Sequence, residues 1–318
     1  MIQVRRKSRR PPRLKPREIV GLISPASTPS SQEKIDKAVR YLEHRGYRVK
    51  VGTHVMDQNG YLAGKDEDRA KDVNAMIRDK SVRAIFALRG GYGTPRILEK
   101  IDYRALRNDP KIIVGYSDLT ALQLAMFRKT GLITFSGPMA GVEMWNGMDP
   151  YTEEHFWNMI TIAEPAGELA NPSDEPVQVR GNGRIGGVLL GGNLSLVASL
   201  VGTPFCPSYG GSILVVEDVD EAPHRVDRMF VQLRHAGILN SVGALVLGRF
   251  TDCVPSDPTK PHLTIDQVLA DVARSMRVPV LLNFQYGHIP KKLTIPLGVR
   301  AILDVSKRVL AITEAAVS

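Results

Sequence analysis

The sequence predicts an α/β protein whose N-terminal half contains a mostly parallel sheet covered by helices. Up to about residue 140, short β-branched and aliphatic runs alternate with amphipathic helical stretches. This alternation is typical of a parallel sheet with helices on both faces. A second alternation begins after residue 184 and ends in a β-rich segment, residues 293–312. We therefore predict two α/β domains, the C-terminal one with a β-rich end.

In the N-terminal half, a predicted helix follows nearly every predicted strand. Apolar runs between turn signals indicate the strands, and apolar residues at helical spacing indicate the helices. The predicted strands are 19–23, 47–51, 84–88, 112–114 and 132–135, and the predicted helices are 33–45, 66–79, 94–100 and 118–128. We place the first domain at residues 18–140.

The second domain, residues 184–318, follows a linker. Residues 141–183 are rich in Glu, Pro and Asn around one predicted helix, 153–162, which is typical of a connecting segment. After the glycine-rich run 186–192, strands are predicted at 213–216, 244–247 and 278–282, and helices at 193–201, 226–236 and 265–274.

The composition describes a protein that can bury a large core. The chain has 318 residues, 43% apolar and 24% charged, with a net charge of +9. These values exclude a disordered polar chain, a collagen-like repeat and a small disulfide scaffold. No window approaches the ~18 consecutive apolar residues of a membrane span. Because no secretory apolar stretch follows the N-terminal cations, we expect a cytoplasmic protein.

The positive charge is concentrated in residues 1–17, which hold eight Lys and Arg residues and no acid. The 42 cations of the whole chain less these eight leave 34, against 33 anions. Such a block is usually disordered and solvated, so we predict a basic disordered tail over residues 1–17. We expect no membrane partner, and nucleic acid only through this tail.

Two observations argue against metal and dinucleotide sites. Cys206 and Cys253 are the only cysteines, and no paired Cys/His spacing suggests zinc. Residues 181–186 match the letters of the dinucleotide fingerprint, but glycine-rich sequence and not a helix follows them. We therefore expect neither a metal nor a cofactor.

A glycine-rich loop, Arg89-Gly90-Gly91-Tyr92-Gly93, follows the third predicted strand. Its glycines allow the backbone to bend and to expose N–H groups. Ligands of parallel sheets gather at the carboxyl ends of strands. The loop therefore suits a phosphate or an oxyanion, and a simple tight turn explains it equally well.

Ser117 lies where the predicted strand 112–114 turns into a helix. A serine on such a turn projects its hydroxyl above the sheet, and the Asp118 N–H points where negative charge develops in acyl transfer. Gly115 occupies the first glycine position of a Gly-x-Ser-x-Gly nucleophile elbow, but Leu119 replaces the second. Since serine is also a common helix N-cap, this turn alone predicts either a nucleophile or a cap.

A serine nucleophile requires a base and a group that orients the base. Among the seven histidines, His288 has a distinctive position in a loop after the predicted strand 278–282. Glu217 directly ends the strand 213–216 and would bring a carboxylate to the edge of a buried sheet, whereas Asp218 suits a helix start or the surface. These placements favour His288 and Glu217 as partners of Ser117.

Taken together, five motifs resemble the LD-carboxypeptidase family of serine peptidases, and they extend in order over residues 19–310. They are Arg89-Gly90-Gly91-Tyr92-Gly93, Gly115-Tyr116-Ser117-Asp118, Gly191-Gly192-Asn193-Leu194, Glu217-Asp218-Val219-Asp220-Glu221 with Arg225-Val226-Asp227-Arg228-Met229, and Gly287-His288. In that family the nucleophile is the serine of the second motif, and the triad is Ser, Glu, His in chain order. The resemblance therefore implies a triad of Ser117, Glu217 and His288.

The resemblance also implies an activity and further site residues. Family members are cytoplasmic, metal-independent enzymes of murein recycling, commonly homodimers, that remove the terminal D-alanine of a muropeptide tetrapeptide. The implied oxyanion donors are the backbone N–H groups of Gly91 and Asp118. Because an exopeptidase must bind a free carboxylate, cations beside the motifs are candidate substrate contacts. The candidate substrate-binding residues are Arg89, Tyr92, Arg249 and Lys291.

Two alternatives remain beside this expectation. A sister branch of the family, the microcin-immunity peptidases, cleaves amide bonds of peptidyl or aminoacyl adenylates and carries an aromatic loop before its Gly-Gly-Asn motif. Residues 171–185 contain no Trp, Tyr or Phe, which favours the muropeptide branch. The other alternative is a catalytically silent protein that binds a cell-wall peptide, against which the presence of all three triad residues argues.

Overall fold

Two mixed sheets surrounded by helices make up the protein, in a computed structural model that describes residues 8–318. Strands of the described chain are β1 (Ile19–Ile23), β2 (Arg48–Val51), β3 (Val82–Ala87), β4 (Ile112–Val114), β5 (Thr134–Ser136), β6 (Pro165–Leu169), β7 (Gln178–Arg180), β8 (Arg184–Asn193), β9 (Ile213–Val219), β10 (Ala244–Thr251), β11 (Val280–Leu282), β12 (Ile295–Leu297), β13 (Arg300–Asp304) and β14 (Val309–Ala315).

The helices lie between these strands. They are α1 (Gln32–His44), α2 (Asp66–Arg78), α3 (Tyr103–Asn108), α4 (Leu119–Thr130), α5 (Pro150–Thr161), α6 (Leu194–Ser199), α7 (Pro223–His235), α8 (Ile238–Ser241) and α9 (Ile265–Ser275), with 3-10 helices at Thr94–Lys100 and Met144–Asn146. In residues 8–318 no helix has both the length and the apolar character needed to cross a bilayer.

The first sheet has the order β12-β5-β4-β3-β1-β2, and the second has the order β6-β14-β13-β8-β9-β10-β11-β7. In the first sheet β1 to β5 are parallel and β12 is antiparallel to β5. In the second sheet β8 to β11 are parallel, and the remaining strands are antiparallel. The predicted α/β class, with a mostly parallel first sheet and a β-rich end, is confirmed.

Several elements differ from their predictions. Residues 141–183, predicted to hold one helix only, also contain β6 and β7, which are short edge strands without a run of β-branched or large apolar residues. The glycine-rich run 186–192 is part of β8. Only glycine fits at position 191, because a Cβ there would lie 1.7 Å from the Val215 carbonyl oxygen of β9.

The core follows the alternation of the central strands. Leu189 and Val215 pack on one face of the second sheet, and their neighbours Leu190 and Val216 pack on the other. Successive side chains of a strand point to opposite faces, so a strand that is apolar throughout serves two layers of packing. Each of the two buried clusters contains residues of both halves of the chain, and the two sheets therefore share one packed interior.

The predicted disorder of residues 1–17 is wrong for residues 8–17, and residues 1–7 lie outside the described residues. Arg9 pairs with the first domain, since its N–H donates to the Gly131 oxygen and its carbonyl accepts from Ile133. Ser318 bonds Pro11 and Arg13 through its backbone, and Leu14 is 2% exposed. The density of positive charge predicted disorder, but backbone hydrogen bonds and the buried Leu14 hold residues 8–17 in place.

The N-terminal segment can be tested by comparing two substitutions. We expect Leu14→Ala to lower the free energy of unfolding by about 2–3 kcal/mol, because it opens a cavity in a buried site. Arg10→Ala removes only a half-exposed ion pair with Glu314 and should cost less than about 1 kcal/mol. Urea unfolding measures both values. Equal, negligible losses would mean that this segment is a solvated tail after all.

Candidate active site

Ser117 lies on a strained turn between β4 and α4. Its φ is +62°, a left-handed conformation that non-glycine residues rarely adopt. Asp118 is the N-cap residue of α4, and Gly115 passes so close to α4 that a Cβ there would lie 2.8 Å from Leu119 Cγ. A strained strand-to-helix turn of this kind is the backbone signature of a nucleophile elbow.

The loop after β3 packs directly against this turn. A Cβ on Gly90 would lie 2.9 Å from Ser117 Cβ and 3.1 Å from Ser117 Oγ. The loop is also bonded to the turn, because Thr94 N–H donates to Asp118 Oδ2 at 2.7 Å and the Thr94 hydroxyl donates to the Asp118 carbonyl at 2.5 Å. Burial raises the pKa of the Asp118 carboxyl. The glycine loop therefore forms one wall beside the Ser117 hydroxyl.

Two backbone N–H groups beside Ser117 are available to a ligand. Within residues 8–318, neither the Gly91 N–H nor the Asp118 N–H donates a hydrogen bond to another protein group. Gly91 is exposed and has a φ of +101°, a conformation that favours glycine. Its place is set by Ser27, whose hydroxyl donates to the Tyr61 carbonyl and accepts from the Tyr92 N–H. Unpaired N–H groups at such a turn suit an oxyanion.

Glu217 and His288 are joined by a short hydrogen bond. His288 Nδ1 lies 2.7 Å from Glu217 Oε2, and the carboxylate side chain is fully buried. Glu217 lies in the C-terminal part of β9, two residues before the strand ends, and pairs in register with Asn193 of β8. Gly287 allows the histidine loop to approach, since a Cβ there would lie 3.1 Å from Glu217 Oε2. A buried carboxylate bonded to Nδ1 orients the imidazole and leaves Nε2 for chemistry.

Tyr116 connects this pair to the serine turn. The residue directly precedes Ser117, and its ring centroid lies 4.9 Å from that of His288 at an interplanar angle of 62°. Tyr116 therefore places the serine turn next to the Glu217–His288 pair, although these residues are widely separated in sequence. The group lies near the carboxyl ends of β4 and β9. Ligands of parallel sheets bind at this end of the strands.

Asp218, predicted to be a surface or helix-start acid, is buried and bonds the start of α6. Its carboxylate accepts from Asn193 Nδ2 at 2.7 Å, and from the N–H and the hydroxyl of Ser195. Asn193 also donates its N–H to Thr120 Oγ1 of α4. Burial raises the pKa of Asp218, and the bonds from Ser195 and Asn193 oppose that shift. These bonds tie the glutamate strand to the helix that follows the serine.

A buried ion pair beside the site has no clear signal in the sequence. Lys292 Nζ lies 2.6 Å from Glu143 Oε1, and the lysine side chain is 4% exposed. Sequence reasoning selected the neighbouring Lys291, which the structure leaves exposed. Two adjacent lysines look alike in a loop, and only the direction of each side chain separates a buried cation from a solvated one.

The remaining candidate binding residues have different surroundings. Arg249 is engaged by protein groups, since its guanidinium donates to Glu175, Asn283 and Gln285. Arg89 is exposed beside the glycine loop and donates one bond to the Thr28 carbonyl. Tyr92, 47% exposed, forms an edge-to-face pair with the 66% exposed Tyr61, with ring centroids 5.4 Å apart.

One cluster of the described residues brings His and Asp side chains close enough to hold a cation. Donor atoms of His54, Asp57 and Asp68 lie within 4.8 Å of one another. His54 Nδ1 is hydrogen-bonded to Asp57 at 2.9 Å. His54 and Asp57 lie between β2 and α2, and Asp68 lies in the first turn of α2, so none of the three belongs to the serine turn. The cluster carries no role in the site described above.

Comparison with known proteins shows the family. The LD-carboxypeptidase N-terminal domain model matches residues 20–137, and the C-terminal domain model matches residues 186–303. A relative named "Probable murein peptide carboxypeptidase" from Bacillus subtilis is 38% identical over 97% of this chain and 95% of its own. The crystal structure of a muramoyltetrapeptide carboxypeptidase from Oxalobacter formigenes superposes with a TM-score of 0.81, at 31% identity over 93% of this chain and 99% of that one.

A second type of relative is the microcin C7 self-immunity protein MccF of Escherichia coli, which is 27% identical over 93% of this chain and 93% of its own. Its wild-type apo structure superposes with a TM-score of 0.87 over 97% of this chain and 99% of that one. The matched family models and the carboxypeptidase relatives show a serine-type carboxypeptidase. The chain belongs to the LD-carboxypeptidase family.

The close approach of the glycine loop to Ser117 makes Gly90 a sharp test of the site. We expect Gly90→Ala to slow labelling of the serine by a fluorophosphonate by about 100-fold, since a displacement of about 1 Å can cost that much. Gly186→Ala is the matched control, because its Cβ would meet no atom closer than 3.8 Å. Labelling rates and thermal melts measure both. Unchanged labelling in a folded Gly90→Ala variant would contradict the proposed wall.

Proposed function

We propose that the protein is a metal-independent carboxypeptidase that hydrolyses the L-D peptide bond before the terminal D-alanine of murein tetrapeptides. The observation that carries the proposal is the buried Glu217–His288 hydrogen bond beside the strained Ser117 turn. The names of the B. subtilis and O. formigenes relatives support the substrate class. The corresponding setting is cytoplasmic cell-wall recycling by a homodimer, as the family resemblance implies.

In the proposed mechanism, His288 Nε2 takes the proton of Ser117 Oγ as that oxygen attacks the carbonyl preceding D-alanine. Glu217 accepts the hydrogen bond from the Nδ1–H of His288 and stabilises the imidazolium that forms. The N–H groups of Gly91 and Asp118 stabilise the tetrahedral oxyanion, and each such donor is worth roughly 2.7–4 kcal/mol in comparable sites. His288 then gives the proton to the amine of the departing D-alanine. Water repeats the sequence on the acyl-enzyme and regenerates Ser117.

Substrate recognition in this proposal relies on the rim of the glycine loop. The terminal carboxylate of D-alanine requires a cation, and Arg89 is the candidate with unengaged N–H groups beside the loop. Arg249 is less suitable because Glu175 already neutralises it at 2.7 Å. Tyr92, with Tyr61, offers a rigid aromatic surface for the rest of the substrate.

An adenylate-amide activity is the second candidate, because relatives of that type match the whole fold. A structure of MccF is described in complex with aspartyl sulfamoyl adenosine. Against this candidate, residues 171–185 of the present chain contain no aromatic side chain to stack a nucleobase. The muropeptide activity is therefore our proposal.

The triad and the substrate can be tested together by mass spectrometry of reaction products. We expect D-alanine release from a murein tetrapeptide with EDTA present, and a loss of about 10³-fold or more in Ser117→Ala and Glu217→Gln. His235→Gln, at an exposed histidine of α7, should keep full activity. A Ser117→Ala variant with near-normal release would disprove the triad. Faster cleavage of an aminoacyl sulfamoyl adenosine than of the tetrapeptide would assign the second candidate function.

Arg89 can be tested with a pair of substrates that differ only at the C-terminus. We expect Arg89→Gln to raise KM for the free-acid peptide at least 10-fold, because a charge-assisted hydrogen bond is worth about 1.5–3 kcal/mol. Its effect on the C-terminally amidated peptide should be negligible. Lys291→Gln makes the same charge change at the other exposed candidate. A larger effect at Lys291 would move the carboxylate site there.

A further inference from the structure

Three polar side chains form a buried network behind the histidine. Glu143 Oε1 accepts from the Tyr116 hydroxyl at 2.7 Å and from Lys292 Nζ at 2.6 Å, and Glu143 Oε2 accepts from the Met139 N–H at 2.8 Å. Lys292 Nζ also lies 4.0 Å from the centroid of the Tyr116 ring. Both oxygens of the carboxylate are therefore satisfied, and the ring is held at its hydroxyl and over its face.

The Lys292–Glu143 ion pair is not explained by its contribution to the stability of the fold. A buried ion pair loses so much hydration that apolar residues of similar volume are often equally stable in its place. Lys292 is 3% exposed, so its charge has lost nearly all of its contact with water. A costly pair of this kind calls for another role, and its position indicates one.

The network contacts the proposed catalytic residues through Tyr116. The tyrosine precedes Ser117 in the chain, and its ring packs against the His288 imidazole with centroids 4.9 Å apart. Burial and the neighbouring Glu143 carboxylate raise the pKa of Tyr116 far above its usual range. The protonated hydroxyl is therefore favoured, and it donates to Glu143.

We propose that the Lys292–Glu143 ion pair is a positioning element that holds Tyr116 against His288 and balances the charge around the imidazole. The inference rests on the proposed function of His288 as the base. The charged and titratable groups around the imidazole include Glu217 from β9, Tyr116 from the serine turn with Glu143 and Lys292 behind its ring, and the buried Tyr286 of the histidine's own loop. Lys292 Nζ lies at most about 9 Å from the centre of the imidazole, a range over which a buried charge is poorly screened.

The charge balance is tested by NMR titration of the His288 imidazole, a measurement that needs no substrate. Lys292→Met leaves the Glu143 anion unpaired, which favours the imidazolium and should raise the His288 titration midpoint by about 0.5–1 pH unit. Glu143→Gln leaves the Lys292 cation unpaired and should lower the midpoint by a similar amount. Lys291→Met is the matched control and should leave the midpoint unchanged, because that lysine is exposed to solvent.

The positioning role is tested by the double variant Glu143→Leu/Lys292→Met, which leaves no buried charge unpaired and remains decisive if a single variant does not fold. We expect the His288 midpoint to return close to that of the wild type. The kcat for tetrapeptide hydrolysis should still fall about 10-fold, with KM within about twofold, because Tyr116 has lost its acceptor. A merely structural pair would leave kcat unchanged in a folded double variant.

Two results would overturn the proposal: single variants that shift the midpoint in the same direction or not at all, or a double variant with wild-type kcat. Failure of the proposed function is recognised separately. Wild-type protein that releases no D-alanine, but whose single variants still shift the His288 midpoint in opposite directions, would disprove the substrate and leave the charge balance in place.

Discussion

The buried carboxylate of Glu217 is the constraint on which the site depends. A carboxyl group removed from water requires a hydrogen-bond partner, and His288 at 2.7 Å supplies one. The approach is possible only because two positions near the carboxylate lack side chains: a Cβ on Gly248 would lie 2.4 Å from the Tyr286 carbonyl, and one on Gly287 would lie 3.1 Å from Glu217 Oε2. The Glu217–His288 hydrogen bond therefore depends on glycine at positions 248 and 287, and a side chain at either position would disturb it.

The placement of Glu217 beside the serine turn also requires both halves of the chain to share one packed interior. The serine turn belongs to the first sheet and the glutamate to the second, so the two sheets must hold a fixed relation at the scale of a hydrogen bond. Asn193 of β8 in the second sheet bonds Thr120 of α4, the helix after the serine turn. Strand β12, from the second half of the chain, pairs with β5 inside the first sheet. The N-terminal segment adds another connection, since Arg9 bonds the first half and Pro11 bonds Ser318 at the end of the second. A site whose groups come from two sheets requires this kind of rigidity.

The success of sequence reasoning differed between elements for physical reasons. Parallel strands buried on both faces are long apolar runs, so β1, β3, β4 and β9 could be recognised, and the residues that follow them could be placed at one edge. Strands β6 and β7 lie at edges and carry polar residues, so they had no such signal. Residues 8–17 were misjudged because their order comes from pairing with distant carbonyls, which a local count of charges does not register. Lys292 was missed for the same kind of reason: its burial is decided by Glu143, 149 positions away.

What the sequence determined by itself is the α/β class, the order of the motifs and the identity of the residues at strand ends, because apolar periodicity and turn chemistry are local properties of the chain. The tertiary structure alone decided which polar groups meet. Arg249 is paired with Glu175 while Arg89 keeps free N–H groups, and Lys292 is buried while Lys291 is solvated. A side chain's direction and partners depend on the elements packed around it, and those elements come from parts of the chain that no local pattern connects.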